Sequence, residues 1–170
     1  MAGLNRVAPY DWAAFFRDRV ESLSPHPPTQ GLERSGWRLT FAGTPSALQK
    51  AYEKNDKETD LSASLGIVVA KDGTIKDVVP GKPAHHAGVG PDMKILAVNG
   101  RRWSEDWSTE NLRAAVAATK KSTKPLELLL ENGEFIRAYS LDYHEGEKYP
   151  RLERIPGKKD LLTAILKSRS

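Results

Sequence analysis

Near the start of the chain, apolar side chains recur at the spacing of a helix. The apolar positions are Trp12, Phe15, Phe16, Val20 and Leu23. Asp11 precedes them and is placed to cap the first turn. The spacing predicts an amphipathic helix over residues 9–22, whose aromatic stripe requires a surface to bury against. Three prolines in the segment SPHPPTQG, residues 24–31, then end the helical pattern.

The next part of the chain predicts one strand and one connection. Trp37, Leu39 and Phe41 alternate with polar neighbours, which is typical of a half-buried strand. The segment Gln49 to Asp60 is polar and dominated by charged residues. We interpret this segment as a mobile connection or a surface loop.

From Leu65 onward the alternation becomes regular again. It predicts strands over residues 66–70, 74–79, 94–98, 126–130 and 135–143, a short helix over 83–87, and a helix over 108–120 capped by Ser108. Asp72-Gly73, Asn99-Gly100 and Asn132-Gly133 supply the tight turns. Five or six strands around two helices predict an α+β fold built on a small, partly closed β-barrel. A C-terminal helical tail follows, since Leu161, Leu162, Ile165 and Leu166 share a helical spacing.

Composition excludes several classes of protein. The chain has 170 residues, and its 26 Lys and Arg against 22 Asp and Glu give a net charge of +4, spread along the sequence. The basic residues between Arg151 and Arg169 are interrupted by acidic ones and lack interleaved aromatic side chains, so we expect no nucleic-acid partner. No apolar run is long enough for a membrane span, which predicts a soluble chain. Without cysteine, disulfides and thiolate metal sites are excluded, but the compartment stays open.

The sequence offers no convincing catalytic centre. Its four histidines are His26, His85, His86 and His144, and no two of them have the i, i+4 spacing that places imidazoles together on a helix. We expect the adjacent His85 and His86 to be exposed to solvent and to bind no metal. Ser62 and Ser64 have no His-Asp pair placed to activate them, and no nucleophile-elbow motif surrounds any serine. A Ser-Lys dyad stays open as an alternative on the sequence alone.

The order of glycines and strands in residues 62–100 resembles a PDZ domain. Leu65-Gly66-Ile67 stands where that family has its carboxylate-binding loop, the run from Pro80 to Val89 resembles the turn and short helix of bacterial PDZ modules, and Ile95 to Gly100 matches the following strand and turn. Asp92-Met93 departs from the usual Gly-Asp or Gly-Met pair. The resemblance implies a module that binds peptide or protein C-termini.

The residues themselves suggest how such a site would work. Successive backbone N–H groups of Leu65, Gly66 and Ile67 can point into one concavity and bind a carboxylate. We expect the strand Ile67 to Ala70, including Val68 and Val69, to expose an edge to which a peptide adds as a further strand. Leu112 and Val116 on the helix over 108–120 are our candidates for the opposite wall, where they would favour an apolar last residue. The alternative, which holds for either residue taken alone, is that it simply packs in the core.

A wider resemblance covers nearly the whole chain. The segments VAPYDWAAFFRDRV, GLERSGWRLTFAGTPS, MKILAVNGRRWS and YPRLERIPGKKDLLTAIL together are similar to the C-terminal region of glycyl-aminopeptidase-like zinc metallopeptidases. This resemblance implies that residues 1–35 trail an upstream catalytic domain, residues 36–145 form the PDZ domain, and residues 146–170 form a tail with a short helix. It implies zinc in the catalytic domain of the parent protein, whose compartment stays open, with the periplasm or secretion as options. This chain has no His-Glu-x-x-His, so we expect it to bind no cofactor.

Three hypotheses follow for the function. The first is a non-catalytic peptide-binding region of such a metallopeptidase, in contact with the upstream catalytic domain of the same polypeptide. The second is a free-standing adaptor for C-terminal peptides. The third is a structural PDZ domain whose groove is closed by its own chain, for which the candidate segment is Asp160 to Ser170.

Overall fold

The computed structural model describes residues 2–21, 29–104 and 108–167. Its helices are α1 (Ala2–Val7), α2 (Trp12–Phe16) with a π-helical turn at Arg17–Glu21, α3 (Gln30–Arg34), α4 (Ala47–Asp56), α5 (Pro83–His86), α6 (Ser108–Thr119) and α7 (Leu161–Leu166). Its strands are β1 (Trp37–Ala42), β2 (Glu58–Leu61), β3 (Ile67–Ala70), β4 (Ile75–Val78), β5 (Lys94–Val98), β6 (Arg101–Arg102), β7 (Leu126–Asn132), β8 (Phe135–Leu141) and β9 (Tyr149–Arg154). The contacts divide the chain into two compact units, Leu39–Glu153 and Met1–Arg38 with Arg154–Ser170.

The larger unit is built on two antiparallel sheets. One sheet has the order β2-β3-β4, and the other has the order β6-β5-β7-β8. In the second sheet, Leu126, Leu128 and Leu130 of β7 are buried while Glu127 is exposed, as the alternation predicted. β1 pairs with β9 in a separate two-stranded sheet.

A single apolar core fills the larger unit between its sheets and helices. Its fully buried members include Leu61, Leu65, Ile67, Val69, Ile75, Ile95, Leu112, Val116, Leu126, Leu128, Leu130 and Leu141. Burying a side chain of this size contributes about 1.5–3 kcal/mol, so this cluster is the main source of the unit's stability. The core joins β3 to α6, and both elements bear on the functional site.

The predicted α+β, PDZ-like fold is confirmed, with two corrections. The described residues contain nine strands in three sheets, which is more strands than the five or six predicted. The segment Gln49 to Asp60, predicted as a mobile connection, forms most of α4 and part of β2. Ser46 caps α4, because its Oγ accepts a hydrogen bond from the backbone N–H of Gln49 at 3.1 Å.

The smaller unit is helical and held by contacts among its own residues. Trp37 Nε1 donates to the Asp160 carboxylate at 2.9 Å, and the Leu161 N–H donates to the Ser35 carbonyl at 3.0 Å. Trp12, Phe15 and Phe16 contact one another, but none of them is buried in the unit as described. The burial partner expected for the aromatic stripe is therefore not found among the described contacts of α2.

Some predictions fall outside the described residues or remain untested. Ser22, Leu23, His26 and most of the proline-rich break lie outside the described residues, and so does the Ser108 side chain. The domain boundaries after residues 35 and 145 stay predictions. Across the described residues, none of the helices is both long and apolar enough to cross a membrane.

Candidate functional site

The predicted carboxylate-binding loop joins β2 to β3 and is held by hydrogen bonds within the chain. Two of its backbone N–H groups, those of Ser64 and Gly66, donate to the Leu61 carbonyl oxygen, each at 3.0 Å. Ser64 Oγ also accepts from the Lys148 N–H at 2.9 Å. The N–H of Gly66, one of the three donors predicted to face a ligand, is therefore already satisfied within the chain.

Gly66 occupies a position that only glycine fits. Its φ is +83°, and an added Cβ would lie 2.2 Å from the Lys82 Cβ. The close approach holds the loop against the start of α5, where the Ala84 N–H donates to the Leu65 carbonyl at 2.9 Å. The glycine of the Leu65-Gly66-Ile67 motif thus fixes the entry into β3.

The edge of β3 that was predicted to be exposed is paired. β3 lies between β4 and β2, and β2 runs antiparallel to it with Thr59 opposite Val69 and Leu61 opposite Ile67. The prediction of a free edge is therefore wrong. The sequence did not indicate that β2, residues 62–66 and β3 form a hairpin. In this hairpin β2 occupies the edge of β3 that was expected to be free.

β2 also contacts the helix that was predicted to form the opposite wall. Thr59 is 3% exposed, and its Oγ1 donates to Thr109 Oγ1 in the first turn of α6 at 3.1 Å. Leu61 is fully buried in the same core cluster as Leu112 and Val116. An extended segment of the chain thus reaches α6 at Thr109 and pairs along the edge of β3.

The structure brings most of the predicted site residues together in the core. Leu65, Ile67, Val69, Leu112 and Val116 all belong to the buried cluster. Val68 is half-buried on the other side of β3. Whether a peptide side chain reaches Leu112 or Val116 stays a prediction, since both are fully buried with the segment β2 in place.

A polar cluster that sequence reasoning missed ties α4 to α6. The Arg113 guanidinium forms an ion pair with Glu53 of α4 and donates to the Tyr149 hydroxyl. Glu53 in turn accepts from the Asp60 N–H in β2 at 3.1 Å. Burial raises the pKa of the Tyr149 phenol well above its ordinary value, and the hydrogen bond that it donates to Glu147 raises this pKa further.

One feature of the sequence could have predicted α4. Ser46 and Gln49 have the spacing of a capping box, which marks the start of a helix.

A cleft of about 670 Å³ lies beside this cluster. It is lined by Pro45, Lys50, Glu53, Lys54, Lys57, Glu58, Lys71, Thr109, Glu110 and Arg113. Lysines predominate in this lining, yet it lacks the large apolar side chains that a groove needs to hold an apolar peptide residue. We therefore do not assign the last residue of a peptide to this cleft.

Three of the four histidines, His85, His86 and His144, lie among the described residues. His85 and His86 are exposed, as predicted, and His144 lies between the Ser122 carbonyl and the Asp142 carboxylate, each at 2.9 Å. Among the described residues there is no group of three His, Asp or Glu side chains arranged to hold a metal ion.

The candidate site thus consists of the loop that contains Gly66, the strand β3, the short helix α5 and the longer helix α6, in the order that the resemblance to a PDZ domain implied. Residues 53–131 match the sequence profile of the PDZ domain family. This part of the chain is a PDZ domain. No curated protein matches the sequence.

Two solved structures are similar to the chain. The HtrA3 PDZ domain bound to a phage-derived ligand has 16% sequence identity and a TM-score of 0.34, over 69% of this chain and 92% of that one. An aminopeptidase N family protein from Idiomarina loihiensis has 14% identity and a TM-score of 0.53. The second match covers 98% of this chain but only 28% of that protein, so the fold of nearly the whole chain recurs as part of a longer one.

Proposed function

We propose that this chain is a non-catalytic peptide-binding region of a larger zinc metallopeptidase of the aminopeptidase type. Its PDZ domain would bind C-terminal or extended peptide segments by adding them as a strand to β3. The observation that carries this proposal is the PDZ domain at residues 53–131.

The site residues have distinct roles in this proposal. The backbone N–H groups of Leu65, Gly66 and Ile67 would bind the terminal carboxylate, and Val68 and Val69 would supply the strand edge. Leu112 and Val116 would select an apolar last residue. Such a module binds at roughly micromolar Kd, or about −8 kcal/mol, most of it from main-chain hydrogen bonds and one buried side chain.

The parent metallopeptidase is the part of the proposal that reaches beyond this chain. It is supported by the resemblance of the sequence segments and by the shared fold with a longer aminopeptidase N family protein. The described residues offer no group of three ligands that fits zinc, so we derive no chemistry through a metal here. An upstream His-Glu-x-x-His in the full polypeptide would support the proposal, and a full-length polypeptide without it would overturn this part.

A structural PDZ domain with a closed groove is the second candidate, and one observation favours it. The chain's own segment β2 pairs with the edge of β3. The sequence predicted that the tail from Asp160 to Ser170 closes the groove, and this stays a prediction. The adaptor hypothesis has no comparable observation in its favour.

The test of peptide binding is an NMR titration of the labelled chain with apolar-ending peptides. Each peptide is supplied with a free C-terminal carboxylate and, as the matched control, as the C-terminal amide. We expect shifts centred on Leu65, Gly66 and Ile67 with the free acid and none with the amide. Absence of binding to both forms at millimolar peptide would contradict the proposed function.

A further inference from the structure

We propose that β2 (Glu58–Leu61) is an internal ligand of the PDZ groove, and that an external peptide binds only by exchanging with it. This proposal rests on the peptide-binding function proposed above and concerns the regulation of the same site. Three features of β2 carry it: its pairing with β3, the hydrogen bonds at its C-terminal end, and its contact with α6.

The backbone of β2 takes the position that an added peptide strand needs. Each of its four residues pairs with one residue of β3, antiparallel, from Glu58 opposite Ala70 to Leu61 opposite Ile67. The other edge of β3 is paired with β4. Because a strand has only two edges, no further strand can add to β3 while β2 is in place.

The C-terminal end of β2 satisfies the loop that would otherwise bind a carboxylate. The Leu61 carbonyl oxygen accepts from the N–H groups of Ser64 and Gly66 at 3.0 Å. Its side chain is fully buried beside Ile67, Leu112 and Val116 in the core cluster. Leu61 thus supplies both features expected of a peptide's last residue, an oxygen acceptor for the loop and an apolar side chain for the core.

The attachment of β2 and α4 to the rest of the domain is mostly polar. Thr59 reaches α6 through one hydrogen bond to Thr109, and α4 reaches it through the ion pair of Glu53 with Arg113. α4 buries none of its residues. Because little apolar area holds this segment besides Leu61, we expect it to open at a lower free energy than the β3–β4 pair.

An external peptide has one advantage over β2 and one disadvantage. Its terminal carboxylate accepts charge-assisted hydrogen bonds, which are stronger than those to the neutral Leu61 carbonyl. β2, however, is tethered to β3 by residues 62–66 and competes at an effective concentration of about millimolar. The apparent Kd for the external peptide equals the Kd of the open form divided by the fraction of molecules in which β2 has left β3. The apparent Kd is therefore higher when the form with β2 in place predominates.

The sharpest experiment locks β2 in place with a disulfide. Thr59 and Thr109 meet at their hydroxyl oxygens, 3.1 Å apart, and the chain has no cysteine of its own. The double variant Thr59→Cys/Thr109→Cys can be closed by oxidation and opened by reduction. The probe is a synthetic peptide with the sequence of residues 54–61 and a free carboxylate at its Leu61 position, followed by NMR and calorimetry.

We expect the reduced double variant to bind this peptide and the oxidised one to bind it about 10-fold more weakly or not at all. The single variants Thr59→Cys and Thr109→Cys, which cannot form the disulfide within one chain, should bind equally with and without reductant. Equal binding by the oxidised and reduced double variant would overturn the internal-ligand proposal and leave peptide binding standing.

A second variant and a second readout keep the two proposals separable. Thr59→Val removes the hydrogen bond to Thr109 at constant shape and should tighten peptide binding about 2- to 10-fold, whereas Thr40→Val, which removes a hydrogen bond to the Arg151 carbonyl, should not change it. Amide exchange without peptide should show the β2–β3 pair opening faster than the β3–β4 pair. If the β2–β3 pair opens rapidly and the protein still binds no peptide, the proposed function is refuted. If this pair opens only when the whole domain unfolds, the proposal that a peptide exchanges with β2 is refuted.

Discussion

Substitution of Gly66 isolates the packing that fixes the loop before β3. Gly66 and Gly81 both have left-handed φ values, +83° and +75°, but an added Cβ meets the Lys82 Cβ at 2.2 Å from Gly66 and no atom within 4 Å from Gly81. Alanine at either position costs about 1–2 kcal/mol for the backbone conformation. At Gly66 overpacking adds about 1–3 kcal/mol.

We therefore expect Gly81→Ala to lower the free energy of unfolding by about 1–2 kcal/mol and Gly66→Ala to lower it by about 2–5 kcal/mol. Urea denaturation followed by circular dichroism, with unchanged m values, measures both. Lys82→Gly removes the obstructing Cβ at a helix N-cap, where glycine is tolerated, so the double variant should recover the overpacking cost. Equal losses for the two alanine variants, with no recovery in the double variant, would refute the packing argument.

Three further predictions concern the polar cluster, the smaller unit and the core. Arg113→Ala leaves the Glu53 carboxylate, 11% exposed, without its cation and should cost about 3 kcal/mol by denaturation; a loss below about 0.5 kcal/mol would show that the ion pair contributes little. The hydrogen bond from Trp37 lowers the pKa of the Asp160 carboxyl from 3.8 to about 2, so its contribution to stability is present above about pH 4 and is lost as the pH falls toward 2; an NMR titration midpoint near 3.8 would contradict this. Leu112→Ala should cost about 2–5 kcal/mol because the side chain is fully buried, whereas a residue lining an open groove would cost much less.

The strands after Leu65 were predictable because their burial follows their alternation. Leu126, Leu128 and Leu130 face the core at every second position of β7, and the Asn-Gly pairs mark the turns. Local sequence dictates these features directly. The class of the domain follows from their order along the chain.

The occupied edge of β3 was not predictable in the same way. β2 has the sequence Glu-Thr-Asp-Leu, and although Thr59 and Leu61 are buried alternately, its single apolar residue is too weak a pattern to predict a strand. It is a strand because its backbone pairs with β3 and Leu61 reaches the core, both of which depend on tertiary structure. α4 buries no residue, so no buried apolar stripe marks it, and its local signals are the Ser46 cap and its residues of high helix propensity.

The most direct test of this account is to observe the β2–β3 pair in solution by NMR. Cross-strand nuclear Overhauser effects should connect Thr59 with Val69 and Asp60 with Val68 in the free protein. Addition of the free-acid peptide of residues 54–61 should replace them with intermolecular effects to the same residues of β3. An edge of β3 without contacts to β2 in the free protein would contradict the account.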